Sequence, residues 1–88
     1  MATSAVKKQN VLRAVDVQFD GDLLSVVLSD DRRISVLMNR IPWLNWLTHA
    51  TPQQQGSWSI EPNGFAIYWD QLDDGVEVKH LLEMTPLH

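Results

Sequence analysis

The chain has 88 residues, 10.1 kDa, 44% apolar and 20% charged side chains, no cysteine and a formal net charge of −4. That length holds one domain with a small core. It has no disulfide, no thiolate metal site, no apolar run long enough to span a bilayer and no signal peptide in MATSAVKKQNVL, so a cytoplasmic protein is expected.

Residues 1–10 are small and polar and read as a loose N-terminal arm, with a single domain over 11–88. From Val11 to Phe19 apolar and polar residues alternate, the period of a half-buried strand. Asp20-Gly21-Asp22 is a hairpin signal, because both central positions of the favoured tight turn need positive φ. A second strand over Leu23–Ser29, a polar turn at Ser29–Arg32 and a third strand over Arg33–Met38 complete a predicted antiparallel meander.

Ile41-Pro42 breaks that pattern, and Pro42–Ala50 reads as the main helix, with Trp43, Trp46 and Leu47 on one stripe. Thr51-Pro52 predicts a cap and a short turn over Pro52–Gln55, ended by Gly56. Trp58–Ile60 and Phe65–Trp69 read as strands around the Glu61-Pro62-Asn63-Gly64 turn. Asp70–Gly75 reads as an acidic connection, and Val76–Met84 as a short C-terminal helix stopped by Pro86. The predicted fold is α+β: one antiparallel sheet of about five strands, packed by the main helix and the C-terminal helix.

The charge divides unevenly. Residues 1–40 sum to +1, residues 41–60 to zero and residues 61–88 to −5. An acidic C-terminal third repels phosphate, and Lys7-Lys8 with Arg32-Arg33 make no basic stripe, so direct nucleic-acid binding is not expected.

Four tryptophans, Trp43, Trp46, Trp58 and Trp69, are many for this length. They can line a partner surface or supply core volume. The spacing favours core for Trp46 and Trp69 and leaves Trp43 and Trp58 open. Asp70, Asp73, Asp74 and Glu77 lack the spacing of a calcium loop, and Asp73 or Asp74 is expected to cap the final helix. His49 falls in the last turn of the main helix, His80 lies three residues after Glu77, and His88 is terminal. No histidine pair has metal-site spacing, no serine sits in a nucleophile elbow and no glycine-rich loop is present. No catalytic residue, metal ligand or cofactor site is expected, and the chain is read as non-enzymatic.

Three stretches, LLSVVLSDDRRISV (Leu23–Val36), PWLNWLTHATPQQQGSW (Pro42–Trp58) and GFAIYWDQLDDGVEVKHLL (Gly64–Leu82), resemble in order the small bacterial family of domains of unknown function numbered 2442. The likeness runs from Arg13 to Leu82, with departures at Asp31 (a glycine in the family), Asp70 (a proline) and Gly75 (an acid). The resemblance implies the α+β fold. It implies no established activity, but members of that family are often encoded beside a small partner protein in pairs that look like toxin–antitoxin modules.

The leading expectation is a protein-interaction module with a small, basic partner, bound through Trp43, Trp58, Tyr68, Asp70, Asp73 and Asp74. The alternatives are a small-molecule-sensing domain, with a pocket between helix and sheet lined by Trp46, Trp58 and Tyr68, and a homodimer.

Overall fold

The computed structural model describes residues 12–84, in the order β1 (Ala14–Asp20), β2 (Leu23–Leu28), β3 (Arg33–Leu37), α1 (Asn45–Thr48), α2 (Pro52–Gln55), β4 (Trp58–Ile60), β5 (Ala66–Trp69), β6 (Asp74–Glu77) and α3 (Val78–Met84). Single 3₁₀ turns occupy Met38–Arg40, Pro42–Leu44 and Asp70–Leu72. The expected N-terminal arm, Lys7-Lys8, Val11, Pro86 and His88 lie outside the described residues.

The first meander forms as its alternation dictates, with all neighbours antiparallel in the order β1-β2-β3. Leu24, Val26 and Leu28 are fully or almost fully buried on one face of β2, matched by Val17 from β1 and Ile34 from β3. In the first turn Gly21 has φ +60° while Asp22 has negative φ. One positive φ at the first central position is the pattern of a type II′ hairpin, and Gly supplies it without steric cost.

The turn between β2 and β3 places Asp31 at φ +73°, left-handed backbone that an L side chain enters at a cost. Asp31→Gly is therefore expected to raise stability by about 0.5–1 kcal/mol, measured as a higher urea midpoint at unchanged slope.

The sheet is not one sheet of five strands. The strands form two three-stranded sheets, β1-β2-β3 and β4-β5-β6, each antiparallel. The second contains a strand that the sequence reading took for connection and helix. Asp74–Glu77, with two acids and a glycine, has poor intrinsic β preference. It becomes β6 because β5 offers a partner edge, pairing Ile67 with Val76 and Tyr68 with Gly75. Gly75 fits closely, since a Cβ there would stand 2.7 Å from the Ile67 carbonyl oxygen. The sheets join at a seam where the Ala14 N–H donates to the Gly64 carbonyl at 2.7 Å.

The predicted main helix is also shorter than expected. Pro42–Leu44 is a 3₁₀ turn and only Asn45–Thr48 is α-helical. Around its end Thr48 Oγ1 donates to Leu44 O, His49 Nδ1 bonds Asn45 O beside the His49 N–H, and Leu47 O accepts both the Ala50 N–H and Gln55 Nε2. Pro52 then holds Thr51 extended, at ψ 160°. Thr51 and Gln54 exchange backbone and side-chain bonds in a complete capping box, which starts α2.

Trp69 closes the core. It is fully buried, meets Phe19 and Trp46 edge-to-face, and donates its indole N–H to Gln55 O at 2.8 Å. Leu44, Leu47, Ile67 and Leu81 are buried in the same cluster.

Candidate functional site

Strand alternation sorts the expected site residues onto different surfaces. In β5, Ile67 and Trp69 point to the core and Tyr68 to the other side. Trp58 pairs with Trp69 across β4 and β5, shares its face and is partly buried against the core. Trp46 is partly buried there too, its indole N–H donated to Trp43 O at 2.9 Å. The pocket expected from Trp46, Trp58 and Tyr68 is therefore not a common cavity: the two indoles and the phenol lie on opposite faces of the second sheet.

Tyr68 and the aspartates do come together. The Tyr68 hydroxyl donates to Asp73 Oδ1. Asp73 takes φ +51° at the end of the Asp70–Leu72 turn, a conformation aspartate tolerates better than most residues. Asp74 Oδ1 accepts the Gly75 N–H at 2.8 Å. Neither aspartate caps α3, because β6 stands between them and Val78. The first N–H of α3 is instead taken by the Phe65 carbonyl at 2.9 Å. Asp70, Asp73 and Asp74 are exposed, and no group of three or more potential metal ligands forms among the described residues.

The hydrogen bond to Asp73, desolvation and the negative charges of Asp73, Asp70 and Asp74 hold the Tyr68 phenol above its ordinary 10.0. A raised folded value means that the linked stability is complete below the unfolded value, near 10, and is lost as pH rises through the folded one. Tyr68 is the chain's single tyrosine, so tyrosinate absorbance reports it alone. Its midpoint is expected above 10.0, to fall towards that value in Asp73→Asn, and its share of the alkaline instability is expected to vanish in Tyr68→Phe.

Trp43 is separate from this acidic end. It is 41% exposed, with its ring edge-to-face against His80 at 6.3 Å between centroids. His80 Nε2 stands 3.8 Å from Glu77 Oε1, and both side chains are more than half exposed. That separation is too long for a hydrogen bond and the pair is wet. The hydroxyls of Ser25 and Ser35 bond each other at 2.8 Å, and Ser57 donates to Gln54 O. Of the arginine pair, Arg32 is bound to Asp30 at 2.7 Å and Arg33 donates to Gln18 at 3.1 Å.

A groove of about 530 Å³ lies where the turn after β4, the start of β5 and α3 meet. Its apolar wall is Leu12, Phe65, Ala66, Val78 and Leu82, and its polar groups are Glu61, Asn63, Glu77 and Lys79. Two exposed large apolar side chains, Phe65 at 42% and Leu82 at 36%, line it. Sequence reasoning passed over these residues. No local signal marked them: Val78, Leu81 and Leu82 have the i, i+3, i+4 spacing of one apolar stripe, on which Leu82 reads as core.

The family model described as "Protein of unknown function (DUF2442)" matches residues 14–84. Among solved structures, a protein of unknown function from Rhodospirillum rubrum superposes with a TM-score of 0.71 at 19% identity, over 85% of this chain and 89% of that one. An uncharacterized protein from Chromobacterium violaceum gives 0.68 at 22% identity, over 89% of this chain and 70% of that one. At those identities the likeness is one of fold. No curated protein matches the chain. No helix among the described residues is long and apolar enough to cross a membrane.

Proposed function

The chain belongs to the family of proteins of unknown function DUF2442, and from that premise we propose that it is a non-enzymatic protein-interaction module, the accessory or antitoxin-like half of a two-protein pair. The observation that carries this reading is the placing of unpartnered apolar side chains in the acidic part of the chain. Phe65 and Leu82 remain exposed within residues 61–83, whose charged groups are Glu61, Asp70, Asp73, Asp74, Glu77 and Glu83 against Lys79. Apolar area gives affinity, and the surrounding carboxylates select for a basic partner and speed its approach. Ser25 and Ser35 bond each other, Ser29 accepts the Arg13 N–H and Ser57 donates to Gln54 O, while Glu77 and His80 stand 3.8 Å apart in solvent.

The test is cross-linked co-purification from the native bacterium, followed by titration of the purified partner. A small basic protein bound one-to-one, with affinity falling as salt rises, is the expected result. Recovery of the chain alone, or only with copies of itself, overturns the reading.

A further inference from the structure

We infer that the groove between Phe65 and α3 is the docking site for a basic, amphipathic segment of the partner protein, one large apolar side chain seated between Phe65 and Leu82 with lysine or arginine flanking it. The inference rests on the interaction-module reading and adds its place and its chemistry.

The groove's walls are fixed to one another. The Phe65 N–H donates to Asn63 Oδ1 at 3.1 Å, and the Phe65 carbonyl accepts the first N–H of α3, from Val78, at 2.9 Å. One residue therefore sets both the turn and the start of the helix, so the gap between the Phe65 and Leu82 side chains exists before anything enters it. A preformed apolar cleft binds without the entropy of ordering its walls.

Charge chooses the occupant. Glu61 and Glu77 face the groove against Lys79, whose ammonium is 3.9 Å from Glu77 and more than two-thirds exposed. Glu83, exposed and next to Leu82 on α3, adds a further carboxylate to that helix. A second copy would bring a net −4 against −4, so self-association through this face is opposed. A cationic segment with an apolar anchor meets both demands.

The experiment titrates the full chain, followed by amide NMR, with a short synthetic peptide of leucine pairs separated by lysine pairs, and with its counterpart carrying glutamate for lysine. The lysine peptide is expected to shift Phe65, Ala66 and Leu82 and the glutamate peptide to leave them in place. Leu82→Asp, and separately Glu61→Lys with Glu77→Lys, are expected to weaken binding by about tenfold or more. These side chains are exposed or half-exposed, so folding survives, and a thermal melt verifies it. Shifts confined to Asp70–Asp74 or Trp43, or unchanged affinity in the variants, overturn the groove. A native partner that binds wild type and Leu82→Asp equally overturns the groove and spares the interaction module, whereas the absence of any protein partner removes the module itself.

Discussion

Trp69→Ala is expected to cost about 3–5 kcal/mol of folding stability, the range for deleting a fully buried aromatic, measured by urea denaturation of the variant beside wild type. Domains hold only about 5–15 kcal/mol in all, so this one substitution removes a large share of the total. The size of the effect follows from position. Trp69 has no exposed surface, its ring meets Phe19 from the first sheet and Trp46 from the helical segment, and its N–H holds Gln55 of α2. One side chain thus ties together both sheets and the connection between them. Trp69→Phe keeps most of the apolar volume but leaves the Gln55 carbonyl without its indole donor, and is expected to lose less, about 1–3 kcal/mol. If alanine and phenylalanine cost the same, packing is not what Trp69 supplies.

Gly64→Ala is expected to cost about 2–4 kcal/mol, the sum of two penalties. Its φ of +78° is strained for any L side chain, about 1 kcal/mol. A Cβ there would also stand 2.6 Å from Arg13 Cβ, a contact that must be relieved by moving backbone, about 1–3 kcal/mol. Gly21 separates the two, because its φ is +60° and its Cβ would meet nothing within 4 Å. Gly21→Ala should therefore show the conformational penalty alone. Arg13→Gly should restore part of the loss in Gly64→Ala, while Arg13→Ala, which keeps the offending Cβ, should not. Thermal or urea unfolding of the four variants beside wild type decides this. The position also bears on function. The Gly64 carbonyl receives the Ala14 N–H across the seam, and its neighbours Asn63 and Phe65 line the groove, so the substitution disturbs the docking wall as well.

The candidate surface shows how far local information reaches. Tyr68, Asp70, Asp73 and Asp74 were legible as a group because they follow one another through a strand end and a bend, and the structure keeps them together. Trp58 and Trp43 were grouped with them on residue type, and the fold separates them. Trp58 turns to the face it shares with Trp69, and Trp43 stands beside His80. The groove was invisible because Leu12, Glu61, Phe65 and Leu82 come from four places in the chain and are united only by packing.

By itself the sequence determined the class, the first meander, the glycine turns at Gly21 and Gly64, the cap at Thr51 and the burial of Trp69. Each is a matter of side-chain period or of backbone dihedral at one position, settled within a few residues. Tertiary structure alone decided that the strands divide into two sheets, that acidic Asp74–Glu77 becomes a strand, that the helix after Pro42 shortens, and that Phe65 and Leu82 line one groove. Those outcomes depend on which edge and which face remain unpaired once the rest of the chain has packed, and no local pattern carries that information.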